Sequence, residues 1–560
     1  MLDMSFSSHI VDNASLPGRT WLVVGKGPSF ESFKSRAVEP HTEVVLGLNH
    51  VAGQISLDYW HVFDIDVLDY YDISILEKVN YLIIPDVLNE KYDLPFCPHV
   101  QHRPIELPLA EVIAEHPILR LFNDKNRLLV YERGDKVKLD YGNPEVSCPA
   151  NGKKISTGSY SASTVVNLLA VSGVSCILLA GIDGGRQYAQ SFSAFQSETL
   201  LDSGNDSFDI QFSEIAYWRY QYKLSICDIR CPEPIKIYVG AKKEQQLAFE
   251  VLAYSIEKYA SVDVDVLDLS GEIARQVPEF DDEFADLVSG TPFSYQRFVI
   301  PELMGYQGVG VYLDSDMQVF GDIRQLIGCV SQGEQAVKAA EVRPAWGRDL
   351  QLSVLVIDAS RCDWNYRSIL SQVKSETLSY KALFSDDDVL GVDRTVPSRW
   401  NSLEEYRPGD TCLVHFTDMR SQPWLSPESA LAPVWCAQLI EYTQAVIGAR
   451  ETLKESVENG WVRPGLQAQV QNCISQPVGI GPRAYFNDYF FFKPPHLEHA
   501  VKQLQGHSTG KFIISFIGKN ASYRLMRILI RVSFLLKLKK IKAFLSRIFV
   551  LQKNRLRSRL

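Results

Sequence analysis

Short apolar runs that end in glycine, serine, asparagine or aspartate recur through the first 230 residues. The runs are RTWLVVGKGPSF (19–30), EVVLGLNHV (43–51), YWHVFDID (59–66), YLIIPDVL (81–88) and ISTGSYSASTVVNLLAVSGVSCILLAGID (155–183). The last of them places an apolar helix between a Ser/Gly turn and a strand that closes on Gly-Ile-Asp. Strands that alternate with helices in this way predict a parallel, doubly wound sheet.

A second unit of the same kind follows a linker, CDIRCPEP, which two prolines mark near residue 230. It opens with the strand and helix pattern IKIYVGAKKEQQLAFEVLAYSIEKY and continues through GVGVYLDSDMQVFGDI and SVLVID. The fold class expected is therefore α/β, with two Rossmann-like doubly wound domains followed by a basic amphipathic helical tail. The domain limits expected are 1–230, 234–500 and 501–560.

Charge is distributed unevenly along the 560 residues, whose formal net charge is −10. No Asp or Glu follows Glu498, and the last 62 residues hold 15 Lys and Arg. The preceding residues are left with 42 Lys and Arg against 67 Asp and Glu, a balance of −25. An acidic body argues against a nucleic-acid partner, whereas the basic tail is suited to an anionic surface.

The tail between residues 521 and 560 has no uncharged stretch of the roughly 18–20 residues that a spanning helix needs. Arg524, Arg527 and Arg531 recur at helical spacing, with leucine and valine roughly opposite. This pattern is typical of a helix that lies in the membrane interface. The alternative is that the same helix packs on the acidic body of its own chain.

The central strand of the second unit ends in two acids, Asp314 and Asp316, one residue apart. Side chains two residues apart in a strand share a face, so both carboxylates are expected at the carboxyl end, where open α/β sheets bind ligands. Two oxygen ligands beside open coordination sites suit Mg²⁺ or Mn²⁺ that holds a diphosphate. The alternative is a turn at the strand end with two solvated acids.

Six short motifs between residues 235 and 430 occur in one order. They are IKIYVGAKKEQQLAFEVLAYSI, TPFSYQRFVIPELM, VYLDSDMQVFGDI, SVLVID, SDDDVLGVDRTVPSRWN and VHFTDMRSQPW. This part of the chain resembles the family 8 glycosyltransferases, which are retaining enzymes of the GT-A type. The resemblance implies Mn²⁺ or Mg²⁺ on Asp314, Asp316 and His415, a donor contact from Arg297, and Asp387 beside the reacting sugar.

The last motif departs from that family, which usually has lysine before Pro-Trp where this chain has Gln422. Arg420 is the candidate for the missing positive charge on the diphosphate. A metal would neutralise the leaving nucleoside diphosphate, and a cationic side chain such as Arg297 or Arg420 would stabilise the charge that develops. Asp387 is expected either to stabilise an oxocarbenium-like sugar or to be a surface acid.

The glycine loop VVGKGPS (23–29) follows an apolar strand and predicts a phosphate cradle at a helix start, although such turns often bind nothing. Together with LGLNHV and STGSYSAS…ILLAGID, it resembles the bacterial sialyltransferases of family 42. That resemblance implies CMP-sugar contacts from Gly25, Gly27, Ser29, Asn49, Ser156, Thr157 and Gly158. Those enzymes use a histidine after the Gly-Ile-Asp strand as base, and this chain has none between 116 and 415. Asp64 or Asp66 is the candidate in its place. His50 and His61 are nearer the expected site, but histidines in such positions more often pack or cap.

We therefore expect a two-domain glycosyltransferase. The first domain would transfer from a CMP-sugar with a different base, act on a pterin or another phosphate, or serve as a non-catalytic docking module. The second would take a UDP-sugar or another nucleoside-diphosphate sugar, with a glycan or glycolipid as acceptor. The family resemblance and the tail point to bacterial capsule or lipopolysaccharide synthesis at the cytoplasmic face of the membrane. Two alternatives stay open: a catalytic first domain beside a degenerate glycan-binding second domain, and a non-enzymatic membrane scaffold.

Overall fold

The computed structural model describes residues 5–12, 16–92, 101–136, 154–195, 207–284, 292–341, 352–419 and 421–492. The expected tail at 501–560 and Arg420 therefore lie outside the described residues. No helix in the described ranges is both long enough and apolar enough to pass through a bilayer. The eight cysteines in these ranges are all free thiols.

Seven strands of the first half form one parallel sheet. The strands of this half are β1 (Thr20–Val24), β2 (Glu43–Leu48), β3 (Leu57–His61), β4 (Val79–Pro85), β5 (Asn89–Tyr92), β6 (Gln101–Pro104), β7 (Leu128–Tyr131), β8 (Arg133–Lys136), β9 (Ile155–Thr157), β10 (Cys176–Ala180) and β11 (Ser225–Asp228). The sheet order is β11-β10-β1-β2-β3-β4-β7, and every neighbouring pair is parallel. The chain reverses its direction of growth between β1 and β10, which makes that gap the topological switch point.

Six strands of the second half form a mixed sheet. The strands are β12 (Ile235–Gly240), β13 (Val264–Asp268), β14 (Val309–Asp314), β15 (Met317–Val319), β16 (Val337–Ala340), β17 (Val354–Asp358), β18 (Val392–Val396), β19 (Ser402–Leu403) and β20 (Leu413–His415). The sheet order is β13-β12-β14-β17-β16-β18, and β17 runs antiparallel to both of its neighbours. A small sheet, β15-β20-β19, extends the structure beyond the end of β14. The expected α/β class is confirmed, and the antiparallel strand β17 was not foreseen.

Helices cover both sheets. They are α1 (Phe6–Asp12), α2 (Phe30–Lys34), α3 (Leu109–Glu115), α4 (Pro117–Asp124), α5 (Ser161–Val171), α6 (Ile210–Tyr222), α7 (Gln246–Tyr259), α8 (Leu269–Gln276), α9 (Phe280–Phe284), α10 (Pro292–Gln296), α11 (Ile300–Leu303), α12 (Arg324–Ile327), α13 (Tyr366–Lys374), α14 (Tyr380–Ser385), α15 (Asp387–Leu390), α16 (Ala432–Ala445), α17 (Ala449–Glu458), α18 (Gly465–Gln471) and α19 (Pro482–Phe490). Strand β2 is buried at every position, as expected for a parallel sheet with both faces covered.

The two sheets share one hydrophobic core, which runs from α5 and α6 of the first half to β12, β14 and α7 of the second. Helix α6 packs on α7, where the Tyr220 and Tyr254 hydroxyls lie 3.3 Å apart. The buried guanidinium of Arg324 in α12 also crosses between the halves, donating to the Asp228 carboxylate at the end of β11 and to the Ile182 carbonyl at 2.6 Å. Apolar packing and a buried ion pair therefore both join the two halves. The expected domain limits stay a prediction.

Candidate active site

Asp314, Asp316 and His415 come together at the carboxyl end of β14. One ligand atom of each residue lies within 4.8 Å of the others. Asp314 is the last residue of β14, and the turn to β15 carries Asp316 two residues later. Strand β20 pairs antiparallel with β15, with His415 opposite Met317, and this register places the imidazole beside Asp316. Two neighbouring acids and a histidine about 100 residues later therefore form one set of oxygen and nitrogen ligands.

Hydrogen bonds orient the His415 ring. Its Nδ1 lies 3.0 Å from Asn401 Oδ1 and 3.4 Å from Ser353 Oγ, and its Nε2 lies 3.2 Å from Asp316 Oδ1. Burial disfavours the charged ring, but Asp316 and Asp314 attract it, so the pKa of His415 is raised above its usual range. A proton or a cation is therefore favoured between Nε2 and the carboxylate. Because Asn401 accepts the Nδ1 proton, Nε2 is left as the nitrogen that faces this position.

Asp314 is held from the opposite side. Tyr312 donates its hydroxyl to Asp314 Oδ1 at 2.5 Å, and Arg297 Nη2 lies 3.6 Å from the same oxygen. Burial raises the pKa of Asp314, and Arg297 opposes that rise. The Arg297 guanidinium also donates to the Leu352 carbonyl and lies over the Tyr312 ring at 4.6 Å. Arg297 is thus buried against the cluster as a positioning residue for Asp314.

Gln422 reaches the cluster at the position where the resemblance predicts lysine. Its amide donates to Asp316 Oδ2 at 3.1 Å and to the Phe416 carbonyl at 2.9 Å. Sequence reasoning missed the roles of Gln422, Asn401 and Tyr312. A signal was present for Asn401, since it ends the Pro-x-x-Trp-Asn motif, but the residue type alone does not show which ring it orients.

Asp387 is not a member of this cluster in the part of the chain that the structure describes. It forms a bidentate pair with Arg394, at 3.0 Å to Nε and 2.8 Å to Nη2. Its carboxylate is therefore already neutralised by a side chain seven residues away. Two roles were expected for Asp387, that of a surface acid and that of a stabiliser of the sugar cation. The ion pair with Arg394 favours neither role.

The first half contains a cavity of about 550 Å³ at the carboxyl ends of β1, β2, β3 and β10. It therefore lies at the switch point of the sheet, where open α/β folds place ligands. Five residues expected to hold a nucleotide line it: Gly25, Gly27, Asn49, Thr157 and Gly158. Ser29 and Ser156 are buried and do not line it.

The glycine loop is packed against the end of β10 rather than open to a ligand. The N–H groups of Gly25 and Gly27 donate to backbone carbonyls there at 2.8 and 2.7 Å, and that of Ser29 donates to the Asp183 carboxylate at 2.7 Å. A Cβ on Gly27 would lie 2.5 Å from Asp183 Oδ2. Acceptors of the protein thus occupy these three amides, so the phosphate cradle at this loop stays a prediction that would need other donors.

The Ser/Gly turn after β9 is also satisfied internally. Gly158 N donates to Thr164 Oγ1 at 2.9 Å, and Ser159 donates through both N and Oγ to the buried carboxylate of Glu214. Glu214, on α6, was not singled out from the sequence. It holds this turn in place, which positions the Thr157 and Ser159 side of the cavity.

Acidic and basic side chains share the far wall of the cavity. Asp66 lies 3.4 Å from Lys91 and 3.6 Å from His102, while Asp64 accepts from Asn89 at 3.1 Å. Burial raises the pKa of Asp64. Both acids suggested as alternative bases thus line the cavity. His61 does not, because it is buried in the core with its Nε2 3.1 Å from the Tyr131 hydroxyl.

Comparisons with known proteins found partial likenesses. No protein-family model matches the chain. Protein CDI of Arabidopsis thaliana is 26% identical over 238 residues, which cover 38% of this chain and 88% of that protein. A galactosyltransferase LgtC structure with donor and acceptor sugar analogues is 15% identical and covers 38% of this chain and 94% of its own, with a TM-score of 0.26. The bifunctional glycosyltransferase WbbM is 10% identical and covers 78% and 99%, with a TM-score of 0.29. Likenesses at these TM-scores carry no weight for the function of this chain.

Proposed function

We propose that the second half of the chain is a metal-dependent retaining glycosyltransferase that moves a sugar from a nucleoside-diphosphate donor to a glycan acceptor. The observation that carries the proposal is the convergence of Asp314, Asp316 and His415 within 4.8 Å at the carboxyl end of a central strand. Two hard oxygen ligands and one imidazole suit Mn²⁺ or Mg²⁺. The six ordered motifs of the family 8 resemblance support the same reading.

Each part of the cluster has a role in this proposal. Asp314, Asp316 and His415 would hold the ion, which when bound neutralises the charge of the departing diphosphate. Arg297 and Tyr312 keep the Asp314 carboxylate turned toward the site. Gln422 orients the Asp316 carboxylate by donating to its Oδ2. A UDP-sugar is the donor proposed, on the family resemblance alone.

The test is a double variant, Asp314→Asn with Asp316→Asn, in the full chain. We expect Mn²⁺-dependent UDP binding, followed by calorimetry, to be lost, because the amide oxygens bind a divalent cation far more weakly than carboxylates. Asp363→Asn, an exposed change in the same half, is the matched control and should bind like wild type. Unaltered Mn²⁺ dependence in the double variant, with an unchanged melting temperature, would overturn the assignment.

The first half is proposed to bind a CMP-sugar, which would make the protein bifunctional. The specific observation in favour is the cavity at the switch point, lined by five of the seven residues that the family 42 resemblance names. The alternative, a docking module without transfer activity, predicts no nucleotide binding by this half. Calorimetry with CMP in the presence of a chelator separates the two.

We also propose that the protein acts at the inner face of a bacterial membrane in capsule or lipopolysaccharide synthesis, attached peripherally through residues 501–560. The support is the acid-free run of 62 residues with 15 Lys and Arg. Attraction to anionic lipid is worth about 1 kcal/mol for each basic residue near the surface. Flotation of the full chain and of a 1–520 truncation with phosphatidylglycerol liposomes tests this, and a full chain that fails to float at low salt would contradict it.

A further inference from the structure

The cavity of the first half needs a cation for an anionic ligand, because the amides of Gly25, Gly27 and Ser29 are already bonded within the protein. Lys26, in the middle of the same loop, lines the cavity. Its ammonium lies 4.5 Å from the centre of the Tyr188 ring, and no ion pair holds it in the described part of the chain. The loop thus presents one positive charge to the cavity, while the amides of Gly25, Gly27 and Ser29 are bonded elsewhere.

Two of the other cations of the cavity face an acid, whereas the third, Arg133, contacts neutral groups. Lys91 and His102 both face Asp66, at 3.4 and 3.6 Å. Arg133 donates to Asn89 Oδ1 at 3.0 Å and lies over the Phe63 ring. A half-buried ammonium that has no carboxylate within ion-pair distance favours an anionic ligand, even though Asp64 and Asp66 attract its charge from farther away. Lys26 and Arg133 are the lysine and arginine of this cavity that form no ion pair in the described residues, and Lys26 is the one that the glycine loop carries.

His50 supplies a second, independent sign of a ligand. It lines the same cavity with a relative exposure of 4%, and neither ring nitrogen has a hydrogen-bond partner among the described residues. The ring is stacked on Phe195 at 4.1 Å and meets Tyr70 edge-on. Burial, helped by the charge of Lys26, lowers the pKa of His50 to about 3, so the ring is neutral and offers one donor and one acceptor. Buried polar atoms left unpaired in this way call for a partner.

We propose that this cavity binds a phosphate ester, with the phosphate on the Lys26 ammonium and a polar group of the organic part on the His50 ring. The inference rests on the proposed nucleotide role of the first half and names how that site would recognise its ligand. Lysine binds phosphate as a point charge and does not need the loop amides. The hydroxyl of Ser161, which lines the same cavity and accepts from Asn49 Nδ2 at 3.5 Å, adds a neutral donor.

The experiment uses calorimetry on the full chain in EDTA, with CMP and inorganic phosphate as probes. We expect Lys26→Met and Lys26→Gln to weaken CMP binding about 10- to 100-fold, the range expected for a lost charge-assisted hydrogen bond. Lys34→Met is the matched control, because Lys34 lies on α2 outside the cavity and bonds only Gln54 and Ser191. His50→Phe should weaken CMP binding and leave inorganic phosphate unaffected, since only the organic part would contact the ring.

The outcomes separate the inference from the function on which it rests. Equal CMP affinity in wild type and both Lys26 variants, at unchanged melting temperatures, would overturn the role of Lys26. Binding of inorganic phosphate with no preference for CMP would overturn the role of His50. No binding of either probe by wild type would overturn this inference and the CMP-sugar role together. The Mn²⁺-dependent UDP test of the second half would be unaffected by all three results.

Discussion

The two candidate sites lie at equivalent places, the carboxyl ends of central parallel strands, but they distribute charge in opposite ways. The site on the second sheet draws two carboxylates and an imidazole within 4.8 Å of one another. The cavity on the first sheet spreads its charged groups around about 550 Å³ and pairs most of them. The strand topology therefore determines the position of each candidate site, and the pairing of its side chains determines which ligand charge the site favours.

The unpaired charge at the two sites differs in sign. At the second site Arg297 approaches Asp314 only at 3.6 Å, and His415 must be protonated to balance Asp316, so the cluster favours an added cation. In the first cavity Asp66 is already shared by Lys91 and His102, whereas Lys26 and Arg133 form no ion pair within the described residues. One site is thus suited to a metal and the other to an anion without a metal.

Chelation should separate the sites most sharply. EDTA is expected to reduce UDP binding by the second half by at least about 100-fold, because the diphosphate then faces two uncompensated carboxylates. CMP binding by the first cavity should not change, since none of its contacts involves a metal ligand cluster. Calorimetry with each nucleotide, with EDTA and with Mn²⁺ restored, measures both. Equal sensitivity of the two nucleotides to EDTA would show that the contrast between the sites is wrong.

Breaking the contact between the two halves should have the next largest effect. Arg324→Met leaves Asp228 buried with only the half-exposed Arg230 beside it, at 2.7 Å. We expect the free energy of unfolding to fall by about 3 kcal/mol, the typical cost of removing one partner of a buried ion pair. Denaturant unfolding measures this change.

Arg407→Met is the control for that measurement, because Arg407 pairs with Glu405 at the surface with its side chain 61% exposed. Its loss should cost less than about 1 kcal/mol. If Arg324→Met is no more destabilising than Arg407→Met, the buried pair of Arg324 and Asp228 does not hold the halves together.

The sequence predicts strands and their ends well here, because burial on both faces leaves continuous apolar runs such as Val44–Leu48 that end in polar residues. It also predicts that Asp314 and Asp316 share a face, since that follows from strand period alone. It does not predict the antiparallel direction of β17, because an apolar run such as Val354–Asp358 looks the same in either direction.

Side-chain pairing is where the sequence is least informative. The loop around Gly27 has the composition of a phosphate cradle, yet Asp183, more than 150 residues later, takes the Ser29 amide. Asp387 has the character of a reactive acid, yet Arg394 neutralises it. The first outcome depends on an acceptor that arrives from a distant part of the chain, and the second on a turn that brings Arg394 back to Asp387. The local sequence pattern predicts neither contact.

A smaller effect is expected from the residues that hydrogen-bond to His415 and orient its ring. Asn401→Ala removes the acceptor that holds His415 Nδ1 at 3.0 Å, so the ring is free to turn its Nε2 away. We expect Mn²⁺ affinity to fall about 10- to 100-fold, as is typical when such an outer partner is lost. Ser353→Ala, whose hydroxyl lies farther from Nδ1 at 3.4 Å, is the comparison and should lose less. A larger loss in Ser353→Ala would reverse the assignment of the orienting residue.

The smallest effect expected is the response of the first cavity to pH. Burial lowers the pKa of Lys26 to about 8, although Asp64 and Asp66 attract its charge and Lys91 opposes it. A lysine in the unfolded chain titrates near about 10.4, so between these two values the unfolded state holds the extra proton. In that window the contribution of Lys26 to stability rises with pH, because the folded cavity no longer has to bury the charge.

The affinity for CMP should fall as the pH rises, in contrast to the stability. This difference tests whether Lys26 contacts the ligand. The phosphate of CMP has lost its second proton by about pH 7, since that pKa lies near about 6. Raising the pH from 7 to 9 passes the pKa of Lys26, which lies at about 8, and so removes its charge, and CMP affinity should fall several-fold. Lys26→Met should bind weakly and equally at both values. If wild type and Lys26→Met lose affinity in parallel, another group in the cavity meets the phosphate, and the anion site is assigned to the wrong cation.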